Sequence, residues 1–594
     1  MSSKRKFNRK SKYTLSQKII SAVTAAGFIM QPVVGFATSI NKVNGNNGTI
    51  ETIGNVTNIW ADRVVDNAAI NVFKDFNLSA NDIANMYFNT KVPDGADRAN
   101  LVNFVNDRID INGTVNAIQN KQIGGNLFFL SKDGMAVGKS GVINTGSLYV
   151  MTPTADYIDN MKVVAGTADA ATAAKELNAI TNITKDANAW QEIPVNTSGT
   201  ITVLGKVNAT NEVQMRAAKI GVGKNVSGED LNDGEDGAIG TLKDGKESIV
   251  KEAYIKTGVT DFGQFVHLTP EQKAEAGITN LEATVAEGGD IVLSAYVDGA
   301  TEKNDLEELP FIGGTFGPIA ETAENTFVEQ DFNASVDVYG TVETGVETTE
   351  KKGNINITAT AVNSNADFNE QINDYELNDN DVAQLANVKA EVNIDGAVKA
   401  AEDVTVKAEA INRYIDNSGA FAKANIAIAS GTPITGDIAY SVLNTEANVN
   451  ITSEGSIESG KGVDIDAKAE TLAASAASVT ALKFKAAGGT TGANVPAVSV
   501  LYTNAVNKAN VTVEGNINAA ENISIDADAD MKVDAENKMG IKGKMGNQFV
   551  VGVTVAGAEN SASVDIKDED NSNNVINAGN DLSVNANATS DFTS

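Results

Sequence analysis

From residue 331 to its end the chain repeats one strand pattern, and that repeat narrows the possible folds more than any other feature. Ala-x-Val-x-Val/Ile occurs as Ala334-Ser-Val336-Asp-Val338, Ala390-Glu-Val392-Asn-Ile394, Ala447-Asn-Val449-Asn-Ile451, Ala509-Asn-Val511-Thr-Val513 and Ala562-Ser-Val564-Asp-Ile566. The central valines advance by 56, 57, 62 and 53 residues. A second strand follows each unit, beginning at Ile355, Val404, Val463, Ile523 and Leu582. A third motif precedes some of them, as in Ile438-Ala-Tyr440-Ser-Val442, Val498-Ser-Val500 and Val551-Gly-Val553-Thr-Val555.

Strict alternation puts Val, Ile and Ala on one face of each strand and Asp, Asn, Thr and Lys on the other. Strands of about 4–6 residues cannot bury such a face alone, and stacking along an axis gives each a ladder partner above and below. A period near 57 exceeds one ordinary solenoid coil and fits about three coils of roughly 19 residues each. A string of β-sandwiches is the competing arrangement. It needs about 90–100 residues per domain and large buried aromatics, whereas only 6% of this chain is aromatic. The 42% of hydrophobic residues is mostly Ala, Val, Ile and Leu, which suits narrow stacked layers. The expected fold is all-β, a right-handed parallel β-helix with short helical or loop insertions.

The N-terminus reads as an address. Lys4, Arg5, Lys6, Arg9, Lys10, Lys12 and Lys18 precede an apolar run from Ile19 to Met30, interrupted by Ser21 and Thr24. Gly35 and Ala37 then stand at the −3 and −1 positions of a cleavage site before Thr38. Residues 1–37 are therefore expected to be a secretory signal, removed between Ala37 and Thr38. No later segment approaches the ~18–20 apolar residues that span a bilayer, so no transmembrane segment is expected. A net charge of −31 repels nucleic acid and anionic lipid, so no nucleic-acid partner is expected. The chain has no cysteine, which rules out disulfides and thiolate metal sites. In an exported chain it also leaves no cross-link to block passage through an outer-membrane pore.

Three regions follow the signal. Residues 38–225 are dense in short strand signals, with a helical or loosely ordered insertion over 155–190. Residues 226–330 read as a β-helix extension with acidic loops. Within them Thr269-Pro270-Glu271-Gln272 predicts an N-cap, a proline at the first helical position and a closed capping box. Residues 331–594 are the repeats.

Residues 48–154 contain a specific series of motifs: Ala69 to Leu78, Ala84-Asn-Met-Tyr-Phe88, Leu101 to Ile109, and Ile111-Asn-Gly113-Thr-Val115. Gly125-Asn126-Leu127-Phe128-Phe129-Leu130, Asp133-Gly134-Met135-Ala136-Val137-Gly138 and Gly141 to Leu148 complete it. In order and spacing this stretch resembles the secretion domain of two-partner-secreted exoproteins, the filamentous-haemagglutinin group. The downstream repeats resemble those of leukotoxin-like filamentous adhesins. The group often has Asn-Pro before the glycine matching Gly134; here Ser131-Lys132-Asp133 stand there, so the turn lacks its proline.

The resemblance implies a route. The chain would cross the inner membrane unfolded, be captured by an outer-membrane transporter β-barrel, and fold coil upon coil outside the cell. By motif match, Asn77, Gly125, Asn126, Gly134, Gly138, Gly141 and Gly146 shape the secretion domain; ordinary turn chemistry is the alternative role of the glycines. The implied protein is a secreted filamentous adhesin on the surface of a two-membrane bacterium, binding a host-cell or bacterial receptor. The chain reads as the N-terminal part of such an adhesin. Its rivals are a secreted toxin (a cytolysin or contact-dependent growth inhibitor) using the same export domain, and a polysaccharide-active β-helix enzyme.

Little in the sequence points to catalysis. The single histidine, His267, is expected to be structural. Gly221-Val-Gly223-Lys224-Asn225 lacks the spacing of a phosphate loop and reads as a solenoid turn. Acidic runs from Asp230 to Asp236 and from Asp568 to Asn571 offer oxygen ligands, but neither is a full calcium loop. No catalytic, cofactor or metal residue is expected. Asn and Asp recurring at strand ends are expected to form ladders along the stack.

Overall fold

A computed structural model describes residues 38–593 except 44–48, 92–95, 168–169, 187, 229–230, 233–237, 240–248, 284–287, 300, 304–327, 348–351, 364–381, 416–423, 428–432, 482, 485–492, 495–496, 542–549 and 568–574. The signal expected over residues 1–37 and both acidic runs therefore lie wholly or largely outside the described residues.

The chain winds as a parallel β-helix. Each coil adds one strand to each of three faces. In the first repeat these strands are Val328–Val338, Thr341–Glu343 and Ile355–Asn363; their faces are named leading, middle and trailing. The next coil follows with Val382–Ile394, Ala397–Ala400 and Val404–Ile415, each parallel to its predecessor. The leading and trailing faces join through one long strand, Ala68–Leu78, which pairs with Asn100–Val105 through one half and Ile109–Ile111 through the other.

The register revises the expected coil length. Ala334, Ala390, Ala447, Ala509 and Ala562 are direct neighbours along the leading face. One repeat is thus one coil, not three coils of roughly 19 residues. Coils that short occur earlier, where Thr200 pairs with Lys219. The repeats are longer because their strands are longer than the 4–6 residues expected. The motifs at Ile438, Val498 and Val551 are not separate strands, but run into Ala-x-Val as Pro433–Ile451, Ala497–Val513 and Val550–Ile566. Trailing strands grow likewise, to 19 residues in Val463–Ala481 and Ile523–Ile541.

Each long trailing strand and the leading strands opposite it extend beyond the three-sided core as two facing layers. Small residues line the inside, including Ala467, Ala469, Ala473, Ala505 and Ala509, all fully buried. The layers are tied across by side chains: Thr445 Oγ1 lies 2.6 Å from Thr471 Oγ1, and Thr471 donates to Asn507 Oδ1 at 3.0 Å. Asn507 Nδ2 donates to the carbonyls of Ala469 and Asp530, both at 3.1 Å. These groups are buried, so each bond removes a desolvation cost rather than adding much net stability.

The core is a set of vertical columns. In the middle face Val115, Ile143, Val207, Ile255, Val342, Val398, Ile457 and Ile517 follow one another in register and are fully buried. In the trailing face Leu127, Leu148, Val213, Ile291, Ile355, Val404, Val463 and Ile523 likewise follow one another in register and are buried. Each such side chain contributes about 1.5–3 kcal/mol on burial.

Three additions sit on this stack. At its N-terminal end Ser39–Lys42 and Ile50–Ile53 pair antiparallel with the first strands and close the coil. The insertion expected over 155–190 is two helices, Ala155–Thr167 and Ala170–Thr181, and a short 3₁₀ turn. It packs Leu177, Ile180 and Trp190 against outward-facing Phe104, Phe128 and Tyr149 of the trailing face. Finally, residues 257–283 leave the stack and run back along the outside of the middle face. They contain the helix Pro270–Glu275, whose capping box forms as expected: Gln272 N donates to Thr269 Oγ1 at 3.2 Å and Thr269 N to Gln272 Oε1 at 2.9 Å. No helix among the described residues is long and apolar enough to cross a membrane.

Candidate binding surface

The predicted secretion-domain residues are corner residues and ladder rungs. Gly125 has φ +78°, and a Cβ there would lie 2.5 Å from the Phe88 ring. Gly146 stacks on it from the next coil: a Cβ on Gly146 would lie 2.7 Å from the Gly125 nitrogen and oxygen. Gly134 has φ +94°, and a Cβ would collide with the Thr200 carbonyl. Gly138 N donates to Ile111 O at 2.9 Å, and its own carbonyl accepts from Gly141 N at 2.8 Å. Asn126 Nδ2 donates to Asn100 Oδ1 at 3.0 Å. Asn77 sits between buried Phe76 and Leu78 and pairs with Asp110.

Gly141 belongs to a column the motif match did not reveal. At one corner Gly113, Gly141 and Gly205 succeed one another, and Gly340, Gly396, Gly455 and Gly515 continue the line after Ala253. The amide after each glycine donates to the carbonyl one coil back, as in Lys206 N to Gly141 O at 2.9 Å and Ser456 N to Gly396 O at 2.9 Å. At Gly205, Gly396 and Gly515 a Cβ would meet the carbonyl of the glycine one coil back, so glycine is favoured there by close approach rather than by φ, although the line accommodates Ala253.

Thr38 begins the described chain, and its hydroxyl pairs with the Asp82 carboxylate and accepts from Ser79 N at 2.9 Å. Nearby Lys42, its side chain 1% exposed, lies 2.8 Å from Asp62 Oδ1. It also donates to Asn71 Oδ1 at 2.8 Å; Asn71 donates on to Asn103, and Asn103 to the Phe128 carbonyl, at 2.9 Å each. Burial lowers the Lys42 pKa, opposed by Asp62. This polar thread runs inside the core, where an ammonium persists only because acceptors surround it.

The outer side of the middle face carries the most regular chemistry. Asn58, Asn85, Asn116, Asn144 and Asn208 stand in register. Each Nδ2 donates to the Oδ1 before it, at 3.0, 3.2, 2.9 and 3.0 Å in turn. Tyr254 OH closes the row on Asn208 Oδ1 at 3.1 Å. The same column continues as Lys256, Glu343, Lys399, Glu458, Asn518 and Asn577. Asparagine ladders were expected from the sequence; a single line along the middle face was not, because insertions hide its spacing.

Residues 257–283 cover the first part of this line. Asn116 Nδ2 donates to Val266 O at 3.2 Å and Asn144 Nδ2 to Phe265 O at 2.8 Å. His267, held at φ +54°, places Nδ1 2.7 Å from Thr114 Oγ1. Burial, and then nearby Lys206, lowers its pKa. The histidine thus serves as a contact of this covering segment. Gly221 lies within the strand Lys219–Val222 and Gly223, at φ +79°, turns the chain after it.

Glu212 is half-buried beside Tyr149, whose hydroxyl donates to it at 2.8 Å; loss of solvent raises both pKa values. Among the described residues, no three His, Cys, Asp or Glu side chains gather as a metal site. The fold defines a parallel β-helix protein whose regular surface features are ladders rather than a cleft. No protein-family model matches the chain, and no curated protein is similar to it.

Proposed function

We propose that the chain is a secreted cell-surface adhesin of a two-membrane bacterium, exported through an outer-membrane transporter β-barrel by residues 48–154. The observation that carries this reading is the continuous stack itself. Among the described residues, twelve strands follow one another in the middle face; at about 4.8 Å per step this makes a stack of roughly 50 Å. Each coil pairs with the one before it, so an emerging chain adds coils in the order in which it appears. Outer faces rich in Asp, Asn, Lys and Thr keep the rod hydrated and give a partner a repeating polar surface. The absence of cysteine suits passage in an unfolded state.

The test is export. With residues 48–154 deleted, the chain is expected to reach the periplasm and stop there. With the deletion and full export retained, the reading fails. Adhesion is tested by coating beads with the purified chain and measuring their retention on host or bacterial cells against beads coated with an unrelated β-helix.

A further inference from the structure

Lys42 stands where an ammonium is hard to keep. Its side chain is 1% exposed, and the ring of fully buried Phe73 lies 5.5 Å from its Nζ. Four oxygens crowd the nitrogen: Thr49 Oγ1 at 2.7 Å, and Trp60 O, Asp62 Oδ1 and Asn71 Oδ1 at 2.8 Å each. An ammonium has three hydrogens, too few for one straight bond to each. Burial draws the group toward the neutral amine, and the Asp62 carboxylate is in place to take its proton.

A neutral amine is a nucleophile, and the Asn71 amide is set before it. Asn71 is fully buried. Its Nδ2 donates to Asn103 Oδ1, and Asn103 donates on to Phe128 O, which restrains the amide. Cγ lies one C=O bond, about 1.23 Å, behind the oxygen that Nζ touches. A small tilt of the amide brings nitrogen and carbon to the roughly 3–3.5 Å of a near-attack arrangement. Asp62 Oδ1 meets Nζ while its Oδ2 accepts from Val72 N at 3.2 Å, which holds the carboxylate against the strand that carries Asn71.

We propose that the folded chain joins Lys42 to Asn71 by an isopeptide bond, with Asp62 carrying the protons. Asp62 first takes a proton from the ammonium, and Nζ then bonds to Cγ. A second Nζ proton passes by way of the carboxyl to Nδ2, the Cγ–Nδ2 bond breaks, and the leaving ammonia carries off the proton that Asp62 held. Ammonium and primary amide thus give secondary amide and ammonium ion; charge and electrons balance, and no oxidant or cofactor is needed. The product leaves past Asp62, whose side chain is 21% exposed.

The bond would tie the closing strand Ser39–Lys42 to Ala68–Leu78, the strand that joins the leading and trailing faces. It closes a loop between residues 29 apart, and closing a loop stabilises a fold by restricting the unfolded chain. In a chain with no cysteine, it supplies the covalent fastening that a disulfide cannot. A similar trio shows what the site requires. Lys162 Nζ lies 2.6 Å from Asn106 Oδ1 and 2.8 Å from Asp159 Oδ1, but Asp159 is 72% exposed. Water reaches that trio, and no bond is expected there.

The experiment is mass spectrometry of the purified full chain, held folded at neutral pH for several days and then cut with trypsin. The native chain is expected to be lighter by one ammonia. Trypsin should leave Lys42 uncut, so that the segment ending at Arg63 stays joined through Lys42 and Asn71 to residues 64–74, while Lys162 is cut normally. A succinimide at Asn47-Gly48 would also lose ammonia, but it would leave the cut after Lys42 open. Asp62→Ala keeps both reactants and is expected to slow the joining about a hundredfold or more; hydrogen exchange of Ala68–Leu78 reports whether this variant is folded. A folded native chain of full mass, cut after Lys42, overturns the proposal whether or not the variant folds. Loss of water with Lys42 joined to Asp62 overturns the assignment of Asn71. Joining at an unchanged rate in folded Asp62→Ala overturns the role of Asp62.

Discussion

The ammonium of Lys256 lies 3.0 Å from the Glu343 carboxylate one coil on, at the column position where the five preceding coils carry asparagine. The change of chemistry follows the cover. Asn85, Asn116, Asn144 and Asn208 are fully buried, where a neutral amide supplies both donor and acceptor without the desolvation cost of a charge. Further along, Lys256 and Glu343 are about a third exposed, and alternating charges there attract along the stack.

Glu343→Lys would place three ammonium groups in succession, at 256, 343 and 399. The expected loss is about 1 kcal/mol, while Glu343→Gln costs less than about 0.5 kcal/mol, because like charges opposite one another repel but partly solvated pairs contribute little. Urea midpoints at low and high salt check this: the lysine penalty should shrink as salt rises. A penalty that salt leaves unchanged would mean the effect is packing, not charge.

Within the ladder the cost should be larger. Asn116→Leu leaves Asn85 Oδ1 and Val266 O without their donor, and Asn144 Nδ2 without one acceptor. About 2–4 kcal/mol of stability should be lost. Asn518→Ala, on the exposed part of the same column, should cost under about 0.5 kcal/mol. Comparing the two unfolding midpoints in otherwise identical chains separates burial from ladder membership.

Much of this architecture was legible from local alternation. Ile355, Val404, Val463, Ile523 and Leu582 each begin a trailing strand, as the sequence pattern implies. What misled was inference from coil length. Ile438 and Ala447 look like two motifs, yet one strand carries both, because nothing in a period-2 pattern marks where a strand leaves the core. The short middle strands, such as Ser456–Ser459, were missed because four residues carry too little alternation to register. The middle-face column was hidden for a different reason: Asn144 and Asn208 are neighbours across an insertion of two helices, and only pairing shows it. The contact of His267 with Thr114, 153 residues away, has no local signature.

Gly134 tests whether the predicted corner residues are bound by backbone geometry. At φ +94°, with the Thr200 carbonyl in the space of a Cβ, Gly134→Ala should cost more than about 3 kcal/mol, combining left-handed strain with a collision that backbone must move to relieve. Gly54 also has positive φ, +62°, but nothing lies within 4 Å of its Cβ position, so Gly54→Ala should cost only about 1 kcal/mol. Thermal unfolding of the two variants gives the comparison. Equal losses would show that φ alone, not the contact between coils, sets the requirement at Gly134.

His267 should make the covering segment sensitive to mild acid. Its pKa in the fold lies below the ordinary 6.5 because it is partly buried and faces Lys206. The unfolded chain therefore takes up the proton first as pH falls through about 6.5, so stability drops from there toward the depressed folded value and is unaffected above it. His267→Asn removes the titration while tolerating the φ of +54°, since asparagine adopts the left-handed region more readily than most residues. Hydrogen exchange of residues 257–283, followed from about pH 7.5 to 5, should show opening that grows with acid in the native chain and a flatter response in the variant. Because carboxylates elsewhere titrate in both chains, the difference between them isolates the histidine; matching profiles would place the acid sensitivity outside this segment.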